Sequence, residues 1–350
     1  MARQKITVPP TPPSAGLDAP EPAARAARLH ASAAKFVAPF ALDPTLRFYS
    51  PQENVDALDH PRVKAWIRFV TTRYEPELPD GHRILLLLPC TRTKPYPMSA
   101  EHRAINGALE AAGFRPTGTV PGPDGMPDVS PLVRRNVVVH RMVLSEPLGI
   151  VPYEHVYRFR GKPSPASSYD DPGLFENRGT SVSPWRADCT AVPGRKDGTW
   201  LWGDNERKAY VEMHNAMSDV IATVLDRIGG LYRRRIGWVA PGLTHRSFLL
   251  AAGARSAEGV AAERRVGAGA LPLVGVNDRT THPVEVLPTP DMLVSARMAL
   301  KARLAAEGRP CGDRAVTAVY ARGGGGATPL ALPELLAELV PELAVRPRRR

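Results

Sequence analysis

The sequence predicts an α/β fold: a three-layer parallel sheet with helices on both faces. Three apolar runs carry the prediction. Residues 83–88 are rich in Ile and Leu, residues 136–144 centre on Val137, Val138 and Val139, and residues 236–240 form the third. Each is continuous rather than alternating, as a strand covered on both sides should be, and helix-periodic stretches separate them. Each also runs into a turn, and ligands of open parallel sheets sit in the crevice beyond the strands' carboxyl ends.

The elements follow in chain order. An Ala-rich stretch at 21–37 has helix-forming composition with a mostly methyl-sized apolar face. Val63, Trp66, Ile67 and Val70 recur at helical spacing and predict a short amphipathic helix before the first strand. Ser99 stands where a helix N-cap belongs, with Glu101 in the first turn. Ala104, Ile105, Ala108, Leu109 and Ala112 then form one stripe that Gly113 ends. Asp204 is expected to cap the longest helix, along which Tyr210, Met213, Met217, Val220, Ile221, Val224 and Ile228 recur before Gly229. Further helices are expected over 291–306 and 332–343. The predicted organisation is a flexible Ala/Pro/Arg-rich segment (1–45), an α/β core domain (46–250) and a C-terminal extension with helices and a basic tail (251–350). Pro- and Gly-rich loops are expected at 121–131, 161–172 and 323–326.

The 350 residues carry a formal charge of +11, which favours polyanions because basic clusters displace counterions from phosphates. Arg outnumbers Lys almost five to one, a bias that a GC-rich genome also produces. Arg233, Arg234, Arg235 and the tail at 346–350 are the phosphate-contact candidates. Cys90, Cys189 and Cys311 share no short spacing, so neither a disulfide framework nor a zinc signature follows, and no metal or other cofactor is expected. Prolines interrupt the first 16 residues where a signal peptide needs an apolar stretch, and no segment approaches the length of a membrane span. A cytoplasmic protein without membrane partners is the expectation.

The most distinctive segment follows the first strand. Pro89, Cys90, Lys94, Pro95, Tyr96, Ser99 and His102 place a thiol, an amine, a phenol, a hydroxyl and an imidazole in fourteen residues at a strand's carboxyl end. A second segment, from Ser145 and Glu146 through Gly149 to Glu154, leaves the second strand in the same way. The first arrangement closely resembles the signature of archaeosine synthase, a tRNA-modifying enzyme related to archaeal tRNA-guanine transglycosylases. The second resembles a Ser-x-Pro-Leu-Gly-x-Val-Pro-x-Glu segment of that family's core domain. The resemblance covers roughly residues 80–250 and implies a uracil-DNA-glycosylase-like fold in a standalone core. Neither the family's transglycosylase-like region nor its RNA-binding module is recognisable in the chain.

What the resemblance implies is chemistry on a nitrile: an amine, such as lysine or ammonia, joins the cyano carbon of 7-cyano-7-deazaguanine. Such a site needs a pocket for a flat base, donors for the charge that develops on nitrogen, and a group that keeps the amine unprotonated. Cys90, Lys94 and His102 are the catalytic candidates. A thiolate at Cys90 can add to a nitrile and form a thioimidate, whereas an inert cysteine ending a core strand is the plainer alternative. Lys94 is a charge neutraliser or a solvated cation, and His102 an acid-base group or an ordinary histidine. Pro89, Tyr96, Ser99, Ser145, Glu146, Gly149 and Glu154 are candidates for substrate binding, with helix capping the competing role of Ser99. Gly149 permits close backbone approach to a ligand, and Glu146 or Glu154 can accept the N–H groups of a guanine-like edge. Cys90, His102 and the Gly149 turn are expected to border one hollow.

The partners expected are tRNA first and DNA second, an amine donor, and a further protein that supplies substrate recognition. The competing readings are 7-deazaguanine modification of DNA in a bacterial or phage system and a non-catalytic nucleic-acid-binding protein. Glycosylase action by base flipping ranks last, because no water-activating Asp motif is identifiable.

Overall fold

Leu85, Leu86, Leu87 and Leu88 are all fully buried. Successive strand residues point to opposite faces, so this strand is covered on both sides. It is β1 (His82–Pro89), in the middle of a seven-stranded sheet. The other members are β2 (Arg115–Pro116), β3 (Leu132–Arg134), β4 (Val137–Ser145), β5 (Gly149–Pro152), β6 (Arg234–Trp238) and β7 (Glu285–Leu287). The computed structural model describes residues 23–171, 173–174, 181–196, 198–323 and 328–344. Residues 1–22, most of the glycine run at 323–326 and the basic tail at 346–350 lie outside the described residues.

The sheet order is β7-β6-β1-β4-β3-β2, with β5 also on β4. The four strands from β7 to β4 are parallel. The sheet is mixed, because β3 and β5 pair antiparallel with β4, and β2 pairs antiparallel with β3. β5 follows β4 after only three residues, and so tight a connection can return the chain only antiparallel. β1 occupies one side of β4, so β3 and β5 share the other, beside its first and last residues respectively.

Helices α2 (Pro51–Ala57) and α3 (Pro61–Thr72) pack on α5 (Asp204–Ile228), and α3 and α5 pack on β5. α4 (Ala100–Ala111) meets α10 (Pro333–Glu342), which meets α8 (Pro290–Ala306), and α8 meets α9 (Asp313–Ala321). Two short helices, α6 (Thr244–Leu249) and α7 (Ala252–Arg255), follow β6. Among the described residues no helix is long and apolar enough to cross a membrane.

Ser99 caps α4, its hydroxyl accepting the His102 N–H at 3.1 Å. The cap of α5 is Gly203 rather than Asp204. The Gly203 N–H donates to Glu206 at 3.0 Å, and a Cβ at 203 would stand 2.2 Å from the Thr190 carbonyl oxygen, so only glycine fits. Asp204 is instead the first helical residue, and its carboxylate accepts the Gly267 N–H at 2.9 Å.

Chain from outside residues 46–250 also contributes to the core and the sheet. Helix α1 (Ala23–Ala33) leads to Phe36, which bridges Lys94, and Phe40 is buried in the main core. β7 extends the sheet beyond β6, and Leu300 and Leu335 belong to the same core.

Candidate functional site

From β1 the chain passes through α4 to β4 on one side, whereas from β6 it moves to β7 on the other. β1 and β6 are therefore neighbours whose exits diverge, the switch point at which open sheets of this kind bind ligands. Cys90 follows β1 there, its N–H donating to the Leu144 carbonyl at 3.0 Å. The register pairs Pro89 with Leu144, so Ser145 and Glu146 leave β4 beside Cys90. After β6, residues 241–243 turn the chain into α6, which carries His245.

Three groups meet at this point. The Cys90 thiol lies 3.3 Å from Nε2 of His245, and the same nitrogen lies 3.5 Å from Oε2 of Glu146. All three donor atoms fall within 4.8 Å of one another. The neighbouring Arg246 fixes α6 in place. Its buried guanidinium donates to the Val239 carbonyl at 2.9 Å, to the Pro288 carbonyl at 3.2 Å and to Glu258 at 2.7 Å. Burial, and then the nearby Glu146 carboxylate, push the Cys90 thiol far above its ordinary range. Burial also lowers the His245 imidazole, partly opposed by Glu146.

Lys94 is 1 % exposed. Its ammonium donates to the Thr91 carbonyl at 2.5 Å and lies 4.6 Å from the Tyr169 ring centre and 5.0 Å from that of Tyr96. Burial lowers its pKa, with the nearby Cys90 and Asp170 opposing. The Tyr96, Ser145 and Tyr169 hydroxyls form a closed set at 3.1, 2.9 and 2.6 Å. Asp171 completes the neighbourhood. Its carboxylate accepts from Asn54 at 2.8 Å and from the Gly173 N–H at 2.7 Å. Burial and the like charge of Glu146 push it up to about 7.

Residues far away in sequence support this side of the site. The Asp170 N–H donates to the Leu46 carbonyl and the Phe48 N–H to the Asp170 carbonyl, both at 3.0 Å, while Lys35 pairs with the Asp170 carboxylate at 2.6 Å. Lys35 and Val37 also bracket the Lys94 backbone, at 3.0 and 2.8 Å.

The structure thus brings together Cys90, Lys94, Tyr96, Ser145 and Glu146. His102 sits behind them, fully buried. Its Nε2 is 2.9 Å from the Pro89 carbonyl, which can only accept, so the proton resides on Nε2 and Nδ1 accepts the Tyr153 hydroxyl at 2.7 Å. Burial lowers its pKa to about 4. The Gly149 turn, at φ +73°, faces α5: a Cβ there would stand 2.5 Å from Cγ1 of Val220. The close approach is therefore to a helix, and Cys90, His102 and Gly149 border different neighbours. Glu154 lies beside His140 (3.1 Å), five residues or roughly 17 Å along β4 from Ser145. Burial opposes its charge, but His140 and the Tyr74 hydroxyl more than offset this and hold it at about 2. Arg233 precedes β6 and Arg234 and Arg235 begin it, at the opposite end of the sheet.

His245, Tyr169 and Asp171 are the site residues that sequence reasoning missed. A signal existed for His245: it follows the third strand's closing turn, the position that singled out Cys90 and Ser145.

Residues 63–173 match the family model described as Domain of unknown function (DUF5591). Archaeosine synthase subunit alpha of Thermococcus kodakarensis is 32% identical over 98 residues, 28% of this chain and 14% of that protein. Part of this chain is therefore similar to an archaeosine synthase subunit. The residues matched by the family model contain β1, α4 and β4, and so supply Cys90, Lys94, Tyr96, Ser145, Glu146, Tyr169 and Asp171. His245 comes from outside the family match. No solved structure matches the chain.

Proposed function

We propose that this protein adds an amine, such as lysine or ammonia, to the cyano carbon of a 7-cyano-7-deazaguanine carried in nucleic acid. The reading is supported by the archaeosine-synthase-like segment and rests on one observation: groups leaving β1, β4 and β6 converge at the switch point. The amine's lone pair forms a bond to the nitrile carbon, one π bond of the nitrile opens, and its nitrogen takes a proton while the attacking nitrogen loses one. An amidine results.

Asp171, titrating near neutrality, is suited to accept the amine's proton. Lys94 and the Tyr96, Ser145 and Tyr169 hydroxyls are suited to face the nitrile nitrogen as it gains charge. His102, with both ring nitrogens engaged, acts as a positioning residue that holds the Pro89 carbonyl and with it the start of the Cys90 loop. A thioimidate at Cys90 is not part of the reading. The imidazole nitrogen nearest the thiol is shared with Glu146, and burial disfavours the free thiolate.

The polymer is proposed to be tRNA, with DNA as the second substrate, in the cytoplasm, and the fold to be of the uracil-DNA-glycosylase-like kind. Because the relative is named as a subunit, a partner protein that presents the substrate belongs to the proposal. The test incubates the protein with tRNA and with DNA containing the cyano base, each with lysine or ammonia, and digests the products for mass spectrometry. A nucleoside heavier by one lysine or one ammonia is expected. An unaltered cyano nucleoside with every donor and polymer would overturn the reading.

A further inference from the structure

We propose that Cys90, Glu146 and His245 hold a zinc ion. In a hydrogen-bonded nucleophile triad the imidazole uses both nitrogens, one toward the thiol and the other toward the carboxylate. Here Sγ and Oε2 both approach Nε2, at 3.3 and 3.5 Å. Nδ1 is buried and has no hydrogen-bond partner among the described residues. One N–H cannot serve two acceptors well at these distances, but a cation between the three atoms can.

The spacing fits that cation. Zinc bonds of about 2.3 Å to sulfur and about 2.0–2.1 Å to nitrogen or oxygen, set tetrahedrally, put sulfur and nitrogen about 3.5 Å apart and nitrogen and oxygen about 3.3–3.4 Å apart. The two separations to Nε2 differ from these by about 0.2 Å, and Sγ and Oε2 lie within 4.8 Å of each other. Thiolate, imidazole and carboxylate together suit zinc better than magnesium or calcium, which prefer oxygen alone. Binding expels the thiol proton to solvent, and the two negative ligands then balance the dication, so the buried site becomes neutral. Three protein ligands leave the fourth position for water or substrate, as in catalytic rather than structural zinc sites. No sequence spacing announces the set, since 155 positions separate Cys90 from His245.

The ion's presence does not depend on the amination reading; only its use as a Lewis acid toward the nitrile does. The test therefore measures metal without substrate. The full-length protein is stripped with a chelator, titrated with zinc, and titrated separately with cobalt(II) as a spectroscopic stand-in. One equivalent of zinc per chain is expected, and cobalt should give a thiolate-to-metal charge-transfer band. Cys90→Ser should abolish the band. Glu146→Gln and His245→Gln should each weaken zinc by more than the roughly 10–100-fold that loss of an outer-shell partner costs. Cys189→Ser and Cys311→Ser should leave both readouts unchanged. A cobalt complex of the wild-type protein without the thiolate band, or zinc affinity indifferent to Glu146→Gln and His245→Gln, would overturn the site even if a Cys90 variant fails to fold. Zinc bound without any amination would count against the proposed reaction alone, and amination by metal-free protein against the ion's use as a Lewis acid alone.

Discussion

Asp171 and His102 are both displaced by burial, but their surroundings give them different work. Asp171 gains a proton near neutrality because burial and Glu146 disfavour its charge, while Asn54 and the Gly173 N–H keep it oriented. A carboxylate with its midpoint near the working pH suits proton exchange. Asp171→Asn, which preserves shape and removes basicity, is expected to lower amination by about 10²–10⁴-fold. Nucleoside yields from single-turnover reactions would measure this, and an undiminished rate would remove Asp171 from the chemistry. His102 shows the opposite case, an imidazole kept neutral. Its folded value of about 4 lies below the ordinary 6.5, so between those limits the unfolded chain binds a proton that the folded chain refuses. Stability therefore falls as pH drops from 6.5 toward 4 and levels off below, at up to about 1.4 kcal/mol per pH unit for this one group. Urea unfolding of His102→Gln across that window is expected to show a shallower slope, by up to one proton. His214, held at about 4 by similar burial, contributes to the residual slope in the same experiment. Equal slopes for variant and wild type would mean that His102 protonates freely in the fold.

At the scale of elements, the turn between β4 and β5 is set by its contact with α5. Gly149 combines φ +73° with a Cβ position 2.5 Å from Val220, so Gly149→Ala meets both a backbone penalty of about 1–2 kcal/mol and an overpacking penalty of about 1–3 kcal/mol. Val220→Ala should relieve only the second. In a double-mutant cycle by urea unfolding, the pair is expected to be less destabilised than the sum of the singles by about 1–2 kcal/mol; simple additivity would show that the turn does not press on the helix. The same scale explains what could be read in advance. β1, β4, α3 and α4 were legible because continuous apolar runs, helical stripes and the Ser99 cap are local signals, and they placed Cys90, Ser145 and Glu146 at one end of the sheet. β2, β3 and β7 contain two or three residues each, too few for any periodicity. Residues 161–172 looked like a Pro- and Gly-rich connector, yet Ser168 and Asp170 are held by backbone bonds to Asp43, Leu46 and Phe48, a long-range pairing that local composition does not encode. Asp204 failed as a cap because the crowding at Thr190 that demands glycine at 203 is tertiary.

For the whole molecule, the position of the three arginines separates net charge from a binding surface. Arg234 lies level with Ile84, about 20 Å along the sheet from Cys90. It is committed to Glu285 and Glu342 at 2.6 and 2.8 Å, joining β6, β7 and α10. Arg235 donates to the Pro283, Gly229 and Tyr232 carbonyls. Arg233 is the exposed member of the three, its guanidinium 3.4 Å from His82. Charge counted along the sequence therefore overstates what this cluster offers a phosphate. Arg234→Met should lower unfolding free energy by about 1–3 kcal/mol, because the largely buried Glu342 carboxylate loses a charged contact, yet leave the salt dependence of tRNA binding unchanged. Arg233→Gln should do the reverse, preserving stability and reducing the slope of log affinity against log salt by about one if it meets a phosphate. Affinity measured from 50 to 200 mM salt would decide between them. An unchanged slope in both variants would move the nucleic-acid path away from the amino ends of the strands, whereas a reduced slope for Arg234→Met would mean that its ion pairs open when the polymer binds.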